Sequence, residues 1–244
     1  MRIAIFSDVH ANLVALDAVL GDIQRRDVEQ MVCLGDVAAS GPQPHETIQR
    51  LIGLHIPIVM GNADTWLLDP QPYSGENALY RKVSEIDTWC ASQLTEEDFN
   101  FLRTFQATVE IPLTGEGSLL CYHGSPYSNT DVIAAGIPDD DLEPLLSGFQ
   151  ALAMSGGHTH VQMLRRYRAS ILVNPGSVGL GYELEKSGDT SHNVPWAEYA
   201  ILDWAAGSLS VIFRRVPLDL TLVRQGALQS DMPHAAWWVG EWRA

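Results

Sequence analysis

Residues 3–13 read Ile-Ala-Ile-Phe-Ser-Asp-Val-His-Ala-Asn-Leu. The apolar run at 3–6 has the character of a buried strand, and it stops at a carboxylate, Asp8, and an imidazole, His10, two residues apart. In an open parallel sheet, ligands collect in the crevice beyond the carboxyl ends of the strands. A hard oxygen donor and a nitrogen donor at such a point suggest a metal ion. Asn12 then suits a helix N-cap, and Leu13, Leu16, Val19, Leu20 and Ile23 fall on one helical face. A single Asp-x-His pair also arises as a turn carboxylate beside a hydrogen-bonded histidine, so the later strand ends decide the reading.

They repeat the device. Residues 31–34 form a second apolar run ending in Gly35-Asp36, and a Gly-Pro turn at 41 and 42 leads to a helix over 44–54. Residues 56–60 read as a third strand, ending in Gly61-Asn62-Ala63-Asp64. A loop with Pro70, Pro72 and Gly75 precedes helical stretches near 77–92 and 95–105, the second with Thr95 as N-cap and Glu96, Glu97 and Asp98 suiting the helix dipole. A strand over 118–122 runs into His123-Gly124-Ser125-Pro126, an acidic helix covers 139–146, and 151–155 leads into Gly157-His158-Thr159-His160. Strands alternating with helices predict α/β organisation with a parallel sheet. Beyond 160 the texture changes: 171–173, 198–203 and 209–215 are strands with short connections, as antiparallel pairing permits. A two-sheet core with helices outside accommodates both halves.

Composition bounds the function. The chain has 244 residues, 46% hydrophobic and 18% charged, with no linker-like tract, so a single domain over 1–244 is expected, ending in a Trp-rich tail at 226–244. Trp237, Trp238 and Trp242 should pack on the body, a subunit contact in a homo-oligomer being the alternative. No apolar run approaches a membrane span, and the first residues enter strand pattern without a basic segment and cleavage site. Cys33, Cys90 and Cys121 lack any Cys-x-x-Cys spacing and read as buried thiols, so a cytoplasmic protein is expected. Thirty acidic against fifteen basic residues, a net charge of −15, repel extended nucleic acid. A small phosphorylated substrate stays compatible, because divalent ions reverse the potential inside one cleft.

Collected in order, the strand-end groups are Asp8, His10, Asp36, Asn62, His123, His158 and His160. Two carboxylates, an amide and four imidazoles are too many for one ion and suit two, with one carboxylate shared. At this point the sequence resembles the calcineurin-like metallophosphoesterase superfamily, whose blocks D-x-H, G-D, G-N-H-[DE], H and G-H-x-H match Asp-Val-His at 8–10, Gly-Asp at 35–36, Gly-Asn-Ala-Asp at 61–64, Tyr-His-Gly at 122–124 and Gly-His-Thr-His at 157–160. The resemblance covers 1–180 and includes Asn-Pro-Gly-Ser at 174–177.

It implies a four-layer α-β-β-α sandwich of two mixed sheets flanked by helices. It also implies two divalent transition-metal ions, drawn from Mn, Fe, Zn, Co or Ni. Asp8, His10 and His160 would hold one, Asn62, His123 and His158 the other, and Asp36 would bridge them. The implied chemistry is in-line hydrolysis of a phosphodiester or pyrophosphate-type bond by a bridging water of lowered pKa, with the ions roughly 3.5–4 Å apart. Asp64 would orient the imidazoles, and Asn12 would cap its helix or contact phosphate.

Ala63 departs from the family pattern, which places there a histidine able to protonate the leaving oxygen. General-acid help is typically worth about 10²–10⁴ in rate, so alkyl phosphomonoesters should be slow substrates. Phosphomonoesterase or protein-phosphatase-like activity therefore ranks second, beside a non-catalytic scaffold of the kind that resemblance to a retromer subunit permits. A metal-dependent nuclease is disfavoured by the charge. His45, His55, His192 and His234 fall outside every block, and the polar stretch 182–195 suits a lid or a surface loop.

Overall fold

The computed structural model of the chain describes residues 1–113, 115, 117–185 and 191–243. Its first strand, β1 (Arg2–Phe6), is apolar on both sides because both sides are covered. Ile3 and Ile5 join one buried cluster and Ala4 and Phe6 another, the alternation a strand imposes. β2 (Gln30–Cys33) pairs parallel with β1, β10 (Trp196–Ala205) pairs antiparallel on its other side, and β11 (Ser208–Pro217) forms the edge, giving the order β11-β10-β1-β2.

A second sheet comprises β3 (Val109–Pro112), β4 (Ser118–Cys121), β5 (Ala153–Ser155), β6 (Met163–Tyr167) and β7 (Ser170–Asn174) in the order β3-β4-β5-β7-β6. Its central pairs are parallel and its edge pairs antiparallel, so both sheets are mixed. The sheets meet face to face through Ile3, Ile5, Val32 and Leu34 against Val109, Ile111, Leu119, Cys121 and Ala153.

Helices cover the outer faces. α1 (Leu13–Ile23), α2 (Pro44–Ile52), α3 (Asn62–Leu68), α4 (Ala78–Gln93), α5 (Glu96–Leu102), α7 (Leu220–Gln229) and α8 (Ala235–Gly240) pack on the first sheet. α6 (Asp139–Leu146) places Leu142 and Leu146 against Leu120, Tyr122, Met154 and Leu172 of the second. The result is the four-layer α-β-β-α sandwich. Caps hold the helix starts: Thr95 Oγ1 accepts from Asp98 N at 3.3 Å, and Asp98 Oδ2 accepts from Thr95 N at 2.7 Å. The same buried carboxylate takes His45 Nδ1 at 2.7 Å and Gln49 Nε2 at 2.8 Å, joining α5 to α2.

Several sequence expectations need correction. Residues 56–60 run beside β2 but make only isolated bridges, Ile58 to Cys33 and Val59 to Gln106. Pro57 has no N–H to extend a ladder, and the chain turns at Gly61 into α3, a helix the strand reading left out. β3, β6, α7 and α8 are likewise additions to the sequence-based expectation. β3 is four residues of alternating burial, too short to stand out as a period. Much of the expected 226–244 tail is helical: α7 begins ahead of it and α8 lies inside it. Trp238 and Trp242 are 4% and 3% exposed, and Trp238 Nε1 donates to Ser40 O at 2.9 Å. The three cysteines are free and buried, and no helix among the described residues is long and apolar enough to cross a membrane.

Candidate metal centre

The C-terminal ends of β1, β2, β4 and β5 point to one edge of the sandwich, and each delivers a polar side chain there. The backbone must turn sharply after every strand to do so. Asp8, His10, Asp36, His158 and His160 all have φ between 49° and 68°, the left-handed region that costs a non-glycine residue of order 1 kcal/mol or more and that clusters at functional sites. Tertiary hydrogen bonds hold these turns: Asp8 N donates to Gly35 O at 3.0 Å, His10 N to Asp36 O at 2.9 Å, and His158 N to Asp8 Oδ2 at 3.2 Å. Gly61 is required beside Asp36, since a Cβ there would lie 2.1 Å from Asp36 Oδ1.

Two groups of ligand-type atoms result, each within 4.8 Å: Asp8, His10 and His160, and Asp36, His123 and His158. Asn62 Oδ1 lies 3.0 Å from His123 Nε2, which places it with the second group. Asp36 stands between the two. Its Oδ2 is 3.3 Å from His123 Nε2 and 3.9 Å from His10 Nε2, while Oδ1 accepts from Ala63 N at 2.8 Å.

Backbone carbonyls orient the imidazoles. The Nδ1–H groups of His10, His123 and His160 donate to Ala39 O at 3.2 Å, Leu34 O at 2.7 Å and Leu180 O at 2.8 Å, turning each Nε2 toward the centre. His10 Nε2 and His160 Nε2 then face each other at 3.1 Å, a separation that a shared proton or a cation must bridge. Asp8 Oδ1, fully buried, accepts no hydrogen bond from the protein. Carboxylate oxygens and imidazole Nε2 atoms thus crowd together at one point, and these residues fit divalent cations in place of the protons they would otherwise share.

Burial opposes charge at every one of these groups, yet the opposite charges prevail at most of them. Asp8 is held below the usual carboxylate range by His160 and His123, and Asp36 by His123 and His10. The same pairing pushes His123 up to about 10 and raises His160, through Asp36 and Asp8 respectively. Burial together with the charge of His160 lowers His10 to about 4, and burial with the charge of His123 lowers His158. Imidazolium protons therefore balance the two carboxylates, and cations entering the site would replace those protons.

Asp64 holds backbone instead of imidazoles. It is fully buried, and it accepts from Asp36 N at 2.7 Å, Val37 N at 2.9 Å and Gly61 N at 3.0 Å. Burial and the charge of Asp36 push its carboxyl up to about 7 against those three donors. Asn12 is 1% exposed and its amide is committed within the protein: Oδ1 accepts from Ala15 N at 3.1 Å and Nδ2 donates to Gly179 O at 3.1 Å. That is the capping arrangement. Asn174 and Ser177 likewise tie loops together, through Gly157 O at 2.7 Å and Asp8 O at 2.9 Å.

Sequence reasoning missed the three orienting carbonyls and Asn129, whose Nδ2 donates to Gly61 O at 3.0 Å and braces the turn before Asn62. A carbonyl carries no residue-type signal, and Asn129 lies in an irregular loop. Of the other histidines, His45 and His234 pair with Asp98 and Glu85, away from this edge. Ala63 sits on the first turn of α3, half-buried against the first core cluster. The arms of a small hairpin, β8 (Tyr182–Leu184) and β9 (Ser191–Asn193), stand beside His160, the Tyr182 ring lying 6.4 Å from it. Of the stretch 182–195, expected to be a lid or a surface loop, residues 186–190 lie outside the described residues.

Residues 1–202 match the calcineurin-like phosphoesterase superfamily domain. An uncharacterised protein of Methanocaldococcus jannaschii is 25% identical over 247 residues, which cover 98% of this chain and 96% of that protein. A metallophosphoesterase from Sphaerobacter thermophilus is 26% identical with a TM-score of 0.75, covering 99% of this chain and 97% of that one. A hypothetical protein from Pyrococcus horikoshii shares the fold at 18% identity, with a TM-score of 0.78 over 98% of this chain and 96% of its own.

Proposed function

The chain belongs to the calcineurin-like phosphoesterase superfamily, and on that footing we propose that it hydrolyses phosphodiester or pyrophosphate-type bonds at a dinuclear metal centre. Asp8, His10 and His160 hold one divalent ion, Asn62, His123 and His158 the second, and Asp36 serves both. The observation that carries this reading is the position of Asp36 Oδ2, within 4 Å of an imidazole Nε2 from each group. Bound there, two cations supply charge that acidifies a water molecule and offsets the negative phosphoryl oxygens.

The protein's own part is positioning. Fixed turns and carbonyl-anchored rings present the ligands without reorganisation. Asp64 sets the backbone from which Asp36 projects, and Asn12 locks the loop at Gly179 to the start of α1. Ala63 offers no proton to a leaving alkoxide, which favours esters whose alcohol departs as a stable anion. Phosphomonoesters of alkyl alcohols are then the poorer substrates.

Turnover of an aryl phosphodiester with added Mn²⁺, and its loss in Asp36→Asn and His123→Ala, is the expected result. Absence of turnover with every divalent metal tried would favour a scaffold role. Against that role stands the gathering of two buried carboxylates with four imidazoles at one edge, an arrangement costly to bury without a function.

A further inference from the structure

His158 and His160 belong to a second surface as well as to the centre. With Thr159 between them, they form one end of a groove of about 440 Å³ whose other walls are Val132, Ala134, Ala135, Val161, Met163 and Tyr182. Its size is that of a small-molecule site, and it opens directly onto the metal ligands. Val132, Val161 and Tyr182 are 56%, 43% and 36% exposed, which is unusual for large apolar side chains gathered at one place. The Tyr182 ring is tilted 54° to that of His160, so the groove has an aromatic wall beside the centre.

Among the described residues no lysine or arginine lines it. The nearest guanidinium in sequence, Arg165, is committed to the outer wall: it donates to Ile137 O and pairs with Asp139, holding the segment that carries Ala134 and Ala135. A substrate with a second phosphate in this groove would bury anionic charge against apolar side chains, in a chain whose net charge is −15.

We propose that the groove receives a neutral, flat organic arm of the substrate, an aryl group esterified to the phosphate at the metal centre. The proposal rests on the phosphoesterase reading above and narrows it: a phosphodiester with one aromatic arm fits, and a pyrophosphate does not. Tyr182 supplies the stacking face, and Val132 and Val161 supply apolar edges.

Binding and turnover test the two readings separately. Calorimetric titration of the Mn²⁺-loaded protein with 2-naphthylmethylphosphonate and with methylphosphonate, neither of which can be hydrolysed, should show the naphthyl compound bound about tenfold more tightly. Tyr182→Ala and Val132→Asp should each cut that preference to about threefold or less. Both side chains are well exposed, so neither change threatens folding. Equal binding of the two phosphonates by the unaltered protein, or an undiminished preference in both variants, would overturn the proposal. Hydrolysis of methyl 4-nitrophenyl and 2-naphthyl 4-nitrophenyl phosphates at equal kcat/KM would overturn it too, while leaving the phosphoesterase reading intact. A naphthyl preference in binding with no turnover of either diester would support the groove and sink that reading.

Discussion

His10 and His160 present their Nε2 atoms to each other at 3.1 Å, each ring having donated its Nδ1–H to a backbone carbonyl. Two imidazoles cannot hold that arrangement as neutral acceptors without something between them. Removing metal should therefore loosen the site. We expect chelation to lower the melting temperature and Mn²⁺ to restore it. A ligand at a hundred times its Kd stabilises by about 2.7 kcal/mol, roughly 5–10 °C for a chain of this size. Calorimetry should find two equivalents bound, and His160→Ala should leave one.

Asp64 accepts three backbone N–H groups at 2.7–3.0 Å in a fully buried setting. Asp64→Ala would strand all three, at about 1–3 kcal/mol for each buried group left unmade. The turn carrying Asp36 would slacken with them. The expected outcome is a large drop in urea midpoint and metal binding weakened by about 10–100-fold. An unchanged metal affinity in a folded Asp64→Ala protein would show that the clamp does not position the ligand.

Ala63 stands on the first turn of α3 with its N–H bonded to Asp36 Oδ1. A histidine at this position keeps that backbone bond and adds a group that can protonate a leaving oxygen. Ala63→His should accelerate hydrolysis of a simple alkyl phosphomonoester by about tenfold or more, and far more than that of an aryl diester with a good leaving group. Equal effects on the two substrates would refute the leaving-group argument.

Away from the site, Asp22 ties α1 to the first sheet. Its carboxylate accepts from Tyr199 OH at 2.7 Å, Arg26 Nη2 at 3.0 Å and Arg214 Nε at 3.2 Å. Burial alone would raise its pKa, but these donors hold it well below the usual carboxylate range. A depressed folded-state pKa contributes stability above the unfolded value of about 3.9, and that contribution is lost as the pH falls through the folded one. Denaturant midpoints should therefore drop more steeply below pH 4 in the native protein than in Asp22→Asn. Asp22→Ala should cost about 3 kcal/mol at pH 7 by leaving the partly buried Arg214 and the fully buried Tyr199 without their acceptor.

The order of the ligand-type residues was legible in the chain because each follows a short apolar run, and a strand's end is a local property. The helix at 13–23 was legible for the same reason, through Asn12 as its cap and a 3.6-residue period, those at 44–52 and 139–146 through the turn before the one and the acidic start of the other. Residues 56–60 misled because apolar content cannot reveal that Pro57 and a turn at Gly61 deny the run a ladder. The antiparallel edges β3 and β6 stayed hidden because Glu110 in the one and Arg165 and Arg166 in the other interrupt the apolar run that marks the buried strands.

By itself, then, the sequence determined the donor types, their order along the chain and the absence of a general acid at Ala63. These are properties of single residues and their near neighbours. Tertiary structure alone decided that His10 and His160, 150 positions apart, meet; that Leu34, Ala39 and Leu180 supply the carbonyls turning each Nε2 toward the centre; and that Asp64 clamps backbone where orientation of imidazoles had been expected. It also decided that Val132 and Tyr182 share one groove. Distances of this kind come from the face-to-face packing of two sheets, and no local pattern encodes them.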